Sequence, residues 1–128
     1  MSQTKGKVLV VDDELDTAQT LRLILESSGF RVDIFTDPKE AMGTFIPAYY
    51  DLAVIDVRMP DMNGFELYSE IKSIDHKIKV LFLTALTDLH DYDDFKSKVS
   101  PRLHHTHFVQ KPVDKDEFLD DLSYFERD

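Results

Sequence analysis

The chain of 128 residues contains no cysteine, which excludes disulfide bonds and metal sites built from thiolates. It is also short of positive charge, because 15 lysines and arginines stand against 25 aspartates and glutamates, for a formal net charge of −10. Direct binding of nucleic acid needs a basic face, so this balance argues against it. A basic partner protein remains compatible with the same charge.

Long apolar runs are absent, and the first seven residues lack the apolar core of a signal peptide. Hydrophobic residues make up 42% of the chain, a share typical of neither disordered nor membrane-spanning proteins. The length fits one domain with a real hydrophobic core. We therefore expect a single soluble, cytoplasmic domain over residues 1–128, with no membrane partner.

Strand-like and helix-like segments alternate along the chain. Short apolar runs predict strands, whereas an apolar stripe at helical spacing and capping residues such as Asp37 and Asp114 predict helices. The predicted strands cover 7–11, 31–35, 52–55, 80–83 and 108–110, and the predicted helices cover 15–28, 64–73 and 88–99 and also follow Asp37 and Asp114. Five strand–helix units in alternation predict an α/β fold with a doubly wound parallel sheet.

Acidic residues end two of the predicted strands. Asp12 and Asp13 follow the apolar run of residues 8–11, and Asp56 follows the run of residues 52–55. Ligands of an open parallel sheet bind beyond the carboxyl ends of the strands, so three carboxylates would converge there. Carboxylates that close repel one another, and a divalent cation such as Mg²⁺ or Mn²⁺ removes that cost. Simple capping of the following helices is the alternative, which three acids at two strand ends make less favourable.

With Asp12, Asp13 and Asp56, two further strand-end residues, Thr84 and Lys111, resemble the active site of a response-regulator receiver domain. Three strings carry the resemblance: Val-Val-Asp-Asp-Glu at 10–14, Asp-Val-Arg-Met-Pro-Asp-Met-Asn-Gly at 56–64, and Lys-Pro at 111–112. The resemblance covers essentially the whole chain. It implies a flavodoxin-like five-stranded sheet of order 2-1-3-4-5, with helices on both faces.

The same resemblance implies a signalling role rather than that of an enzyme. Asp56 would be the phosphoacceptor, taking a phosphoryl group from the phosphohistidine of a sensor histidine kinase or a histidine phosphotransfer protein. Asp12, Asp13 and Asp56, with the backbone carbonyl of Arg58, would hold the metal, which we expect to be Mg²⁺, with Mn²⁺ possible.

Three other residues have implied roles and simpler alternatives. Thr84 would donate its hydroxyl to a phosphoryl oxygen, although a threonine there could also cap the next helix. Lys111 would supply a positive point charge, although most lysines are merely solvated. Phe108 occupies the switch-aromatic position of the family, although it could equally be core.

The stretch from 86 to 110 departs from the family pattern, because the usual Gly-Ala step before the fifth strand is missing. We expect output to an unidentified partner through the predicted helix over 88–99, the fifth strand and the last helix, and a monomer or a weak dimer. His104, His105 and His107 could bind a metal, but a solvated loop before the fifth strand is the favoured interpretation.

Two other functions remain open. A pseudo-receiver would bind partners without ever being phosphorylated. An aspartate-nucleophile phosphatase of the haloacid dehalogenase type would need Asp-x-Asp after its first strand and a cap domain, whereas this chain has Asp12-Asp13-Glu14 and no residues left for a cap.

Overall fold

The fold is known from a computed structural model, which describes residues 5–85 and 106–126. Those residues form five strands and four helices. In chain order the elements are β1 (Lys7–Val11), α1 (Leu15–Ser27), β2 (Arg31–Phe35), α2 (Pro38–Thr44), β3 (Leu52–Asp56), α3 (Gly64–Ile74), β4 (Lys79–Thr84), β5 (Thr106–Gln110) and α4 (Lys115–Glu126).

The five strands form one parallel sheet in the order β2-β1-β3-β4-β5, which confirms the predicted fold class. β1 and β3 are neighbours, with Val11 opposite Ile55. β4 lies on the other side of β3, with Asp56 opposite Leu83. The carboxyl ends of β1, β3 and β4 therefore meet along one edge of the sheet, where the predicted site residues lie.

Each face of the sheet is covered by a separate hydrophobic core. Leu9, Val11, Ile55 and Phe82 point to the face covered by α2 and α3. Their neighbours Val8, Val10, Val54, Leu81 and Leu83 point to the face covered by α1 and α4. Strands buried on both faces carry nearly continuous apolar runs, which is why β1, β3 and β4 were visible in the sequence.

The starts of α2 and α4 follow the predicted capping residues. A side-chain oxygen of Asp37 accepts a hydrogen bond from the Lys39 amide at 3.0 Å, and one of Asp114 accepts from the Glu117 amide at 3.0 Å. α1, with 13 residues, is the longest of the described helices, and none of them is long and apolar enough to cross a membrane.

The predicted end of the sheet needs one correction. β5 begins at Thr106 rather than 108, so the loop prediction was wrong for His107, whose backbone pairs in register with Leu81 of β4. The predicted helix over 88–99 and the other two histidines of that cluster, His104 and His105, lie outside the described residues.

Candidate functional site

The site is built on the carboxyl ends of two adjacent buried strands. Asp12 directly follows β1, and its amide donates a hydrogen bond to the carbonyl of Phe35 at 3.1 Å. Asp56 is the last residue of β3, and the next amide, that of Val57, donates to the carbonyl of Leu83 at 3.0 Å. Both aspartates are therefore fixed by backbone bonds to the neighbouring strands.

Asp12, Asp13 and Asp56 form one cluster of carboxylates. Each offers an oxygen atom, and these three atoms lie within 4.8 Å of one another. Asp12 is 0% exposed and Asp56 is 3% exposed, whereas Asp13 is exposed. The cluster is thus closed on the side of the core and open to solvent beside Asp13.

Lys111 brings a positive charge into this cluster. Its Nζ lies 3.2 Å from an oxygen of each of Asp12, Asp56 and Glu14, and its side chain is only 18% exposed. The simpler interpretation, in which Lys111 is merely a solvated surface lysine, is therefore wrong. The peptide bond that joins it to Pro112 is cis.

The ionisation of the site reflects burial and mutual repulsion. Burial raises the pKa of Asp56 to about 8, the charge of Asp12 adds to that rise, and Lys111 opposes it. Burial likewise raises the pKa of Asp12 above its ordinary value. Burial alone would lower the pKa of Lys111, but the carboxylates of Asp56 and Asp12 hold it above its ordinary value. One ammonium group does not fully stabilise the ionised cluster.

Asp12 carries a buried oxygen without a hydrogen-bond donor. Its Oδ1 accepts from the amide of Glu14 at 2.9 Å, but its Oδ2 accepts no hydrogen bond from any described residue, although the Lys111 ammonium is near. Buried polar atoms are normally satisfied, so such an atom calls for an explanation. A carboxylate oxygen that accepts no hydrogen bond, beside two further carboxylates, belongs to a donor set that suits Mg²⁺ or Mn²⁺. The residues present therefore fit a divalent cation.

The capping alternative for the three aspartates is wrong. The N-cap residue of α1 is Glu14, so neither Asp12 nor Asp13 occupies that position. α3, the helix that follows Asp56, is capped by Asn63. The acids at the strand ends are thus not explained by helix termination.

The other predicted site residues lie near the same edge of the sheet. Thr84 is half-buried at the end of β4, and its carbonyl accepts a hydrogen bond from the Lys111 amide at 2.7 Å. Arg58 is exposed in the loop after β3. Phe108 is partly buried in β5, with its ring stacked on Phe82 at a centroid distance of 5.1 Å.

Gly64 has a role that the sequence interpretation missed. Its amide donates to the carbonyl of Val57 at 2.8 Å, and a Cβ atom there would lie 2.9 Å from the Cα of Val57 and even nearer to the carbonyl oxygen of Asp56. Only glycine lets α3 begin this close to the phosphoacceptor candidate. The Asn63 and Glu66 capping box fixes the same turn, and the Asn-x-x-Glu spacing was the available signal.

Glu14 is the second residue that was missed. It appeared in the sequence only as the end of the Asp-Asp-Glu string, yet its carboxylate accepts a hydrogen bond from Lys111 Nζ at 3.2 Å. The signal was weak: a long acidic residue occupies a helix N-cap, where short polar residues are preferred.

The sheet order and its counterparts among solved structures define a flavodoxin-like domain. Residues 8–123 match the response regulator receiver domain, and the chain belongs to that family, which serves two-component systems. The resemblance found in the sequence is thereby confirmed.

Curated and structural relatives agree with this assignment. The chain is 34% identical over 104 residues to the response regulator SaeR of Staphylococcus aureus, covering 74% of this chain and 45% of SaeR, so it spans less than half the length of that curated relative. The non-phosphorylated HemR receiver domain of Leptospira biflexa is 31% identical, with a TM-score of 0.80 and 94% of each chain covered. The chemotaxis protein CheY4 of Vibrio cholerae is 25% identical, with a TM-score of 0.79 over 94% of this chain and 98% of that one.

Proposed function

We propose that this domain accepts a phosphoryl group on Asp56 from the phosphohistidine of a sensor histidine kinase or of a histidine phosphotransfer protein. The observation that carries the proposal is the convergence of Asp12, Asp13 and Asp56, whose carboxylate oxygens lie within 4.8 Å of one another, with Lys111 Nζ 3.2 Å from Asp56. Membership of the receiver family supports it.

The reaction is a displacement at phosphorus by the carboxylate of Asp56. A bond forms between an oxygen of Asp56 and phosphorus, the bond from phosphorus to the donor imidazole nitrogen breaks, and imidazole leaves with the electron pair. Attack needs the ionised carboxylate, whereas burial raises the pKa of Asp56 to about 8. Positive charge close to Asp56 is therefore a requirement of the reaction, and the Lys111 ammonium supplies part of it.

The remaining charge is that of a divalent cation. Asp12, Asp13 and Asp56, with the backbone carbonyl of Arg58, would hold Mg²⁺, and Mn²⁺ is a possible substitute. When bound, this ion supplies positive charge against the carboxylates and the entering phosphoryl oxygens. The hydrogen bond from the Glu14 amide to Asp12 Oδ1, at 2.9 Å, holds Asp12 in place, while its other oxygen accepts no hydrogen bond.

Thr84, Lys111 and Phe108 would respond to the phosphoryl group. The Thr84 hydroxyl would donate to a phosphoryl oxygen, and the Lys111 ammonium would pair with another. The backbone hydrogen bond between these two residues supports a joint movement. The ring of Phe108, on β5 beside them, would then change its position against Phe82.

The output would be a change in binding of a partner protein at the surface that includes β5 and α4. The partner is not identified; the net charge of −10 favours a basic protein surface over nucleic acid. We further propose that the domain acts in the cytoplasm as a monomer or a weak dimer. Hydrogen exchange with and without beryllofluoride tests this output, since protection confined to the acidic cluster would contradict it.

Incubation of the chain with acetyl phosphate and Mg²⁺, followed by intact mass measurement, tests the proposed reaction. A receiver gains one phosphoryl group on Asp56. A haloacid dehalogenase-type phosphatase would instead consume many equivalents of acetyl phosphate, and a pseudo-receiver would neither gain the group nor consume the donor. Either of these two results would overturn the proposal.

A further inference from the structure

Glu14 occupies the N-cap position of α1 without capping the helix. Its backbone has the extended conformation of an N-cap, with φ −92° and ψ 107°, but its side chain accepts no hydrogen bond from a helix amide. N-cap side chains normally make that bond, which stabilises the start of a helix. The Glu14 carboxylate instead accepts a hydrogen bond from Lys111 Nζ, 97 residues further along the chain.

The Lys111 ammonium is shared among three carboxylates. Oxygens of Asp12, Asp56 and Glu14 all lie 3.2 Å from Nζ. The contact with Glu14 has the geometry of a hydrogen bond, whereas the contact with Asp12 Oδ2 is an ion pair. The carboxylate of Glu14 is thus as close to the ammonium as those of Asp12 and Asp56 are.

The carboxylates of Asp12, Asp56 and Glu14 also differ in how far they are buried. Asp12 and Asp56 are buried, whereas the side chain of Glu14 is 65% exposed. The ammonium of Lys111 thus lies between a buried pair of carboxylates on the inside and one exposed carboxylate on the outside. If Glu14 were removed, the inner pair would be the remaining anionic partners of the ammonium in this part of the site.

We propose that Glu14 is a positioning residue that shares the Lys111 ammonium with Asp12 and Asp56, limits its pairing with these two carboxylates and so favours binding of a divalent cation to them. Without Glu14 the ammonium pairs more closely with the inner carboxylates and competes with the cation for them. This inference deepens the proposed function, because it rests on cation binding at the acidic cluster.

Binding of Mn²⁺ alone to the full chain tests the proposal, with free Mn²⁺ measured by electron paramagnetic resonance. Glu14→Gln should weaken binding by about threefold or more, in line with the size of interactions between partly exposed charges. Asp16→Asn is the matched control, since Asp16 is exposed, lies in the first turn of α1 and lines a surface groove together with Glu14 and Lys111. It removes the same charge and should leave Mn²⁺ affinity nearly unchanged.

A double-mutant cycle shows whether Glu14 acts through Lys111. In a Lys111→Met background no ammonium remains to be positioned, so Glu14→Gln should have a clearly smaller effect on Mn²⁺ affinity than in the wild-type chain. An equal effect in both backgrounds would mean that Glu14 acts only through its own charge, and this would overturn the positioning role.

A measurement without metal gives an independent readout. In EDTA, the ¹⁵N resonance of the Lys111 ammonium should shift in Glu14→Gln and stay in place in Asp16→Asn. An unshifted resonance in Glu14→Gln, or wild-type Mn²⁺ binding that this substitution does not weaken, overturns the inference alone. A wild-type chain that binds no Mn²⁺ overturns the proposed function and this inference together.

Discussion

The Lys111 amide donates a hydrogen bond to the Thr84 carbonyl at 2.7 Å, so two residues from different strand ends are joined through the backbone. The side chain of the same lysine is paired with Asp12, Asp56 and Glu14. Lys111 therefore connects the acidic cluster to the end of β4. Under the proposed function, phosphorylation of Asp56 would act on the lysine side chain directly and on Thr84 through this bond.

Replacement of the phosphoacceptor candidate gives the first prediction. Asp56→Asn should abolish labelling by acetyl phosphate in Mg²⁺ while the fold is retained, because the two side chains are nearly isosteric. Intact mass measures the label and circular dichroism the fold. Asp61→Asn, an exposed position in the following loop whose φ of 70° suits asparagine, should label as the wild-type chain does. Label on another wild-type residue, or full labelling in EDTA, would contradict the assignment.

The raised pKa of Asp56 gives the second prediction, for the metal-free protein. The folded carboxyl has a pKa of about 8 against an ordinary 3.8, so the folded state holds a proton that the unfolded state releases. Asp56 therefore contributes its full stabilisation below its ordinary pKa of 3.8. This stabilisation is lost as the pH rises from there toward 8, by at most about 1.4 kcal/mol per pH unit.

Urea unfolding in EDTA, at pH values between 3.8 and about 8, checks whether the unfolding free energy falls as the pH rises. Asp56→Asn should be less sensitive to pH than the wild-type chain and should be the more stable of the two at the alkaline end. Equal slopes for the two proteins would show that Asp56 ionises in the folded state as it does in the unfolded chain.

Addition of Mg²⁺ gives the third prediction. A cation that binds only the folded state stabilises it in proportion to the logarithm of its concentration, and here it favours the ionised carboxylates. The gain in unfolding free energy should therefore be larger near pH 8 than near pH 5, in contrast to the metal-free trend. Thermal unfolding with matched concentrations of Mg²⁺ and of Na⁺ measures it, and a gain independent of pH would argue against binding at Asp12 and Asp56.

Two glycine substitutions give the fourth prediction, and they should change the unfolding free energy in opposite directions. Gly64→Ala brings a methyl group against the backbone of Asp56 and Val57, and should lower the unfolding free energy by about 1–3 kcal/mol. Gly43→Ala, within α2, meets no atom within 4 Å and should raise it by about 0.5–1 kcal/mol. Urea unfolding of both variants checks this. A stabilising Gly64→Ala would mean that α3 can begin further from β3 without cost.

The lifetime of the phosphoryl group gives the fifth prediction. The long, exposed side chain of Arg58, two residues after Asp56, can cover the approach of water, so Arg58→Asn should speed the loss of the label. Leu86, two residues after Thr84, cannot orient a water molecule, and Leu86→Glu should have the same effect; this residue lies outside the described ranges. Intact mass over time follows the loss, and wild-type rates in both variants would exclude control of water access by either residue.

The fold and the acidic edge were predictable because both depend on local patterns. Apolar runs gave the buried strands, and the parallel arrangement then placed the residues that end β1 and β3 at the same edge. The contact between Glu14 and Lys111 joins residues 97 positions apart, so no local pattern encodes it. No local pattern encodes the close approach of Gly64 to the end of β3 either, because this approach depends on how α3 packs. His107 was assigned to a loop because its polar neighbours hide a strand that pairing with β4 stabilises.

The ring of Phe82 is fully buried and lies next to three other aromatic rings, those of Phe65 and Tyr68 on α3 and of Phe108 on β5. A rotation of Phe108 away from Phe82 would remove an aromatic side chain from a packed core and change the volume that the protein encloses. Hydrostatic pressure acts on such volume differences. The proposed movement of Phe108 would thus be coupled to molecular volume as well as to phosphorylation of Asp56, and compression would be a second, chemically neutral way to cause it.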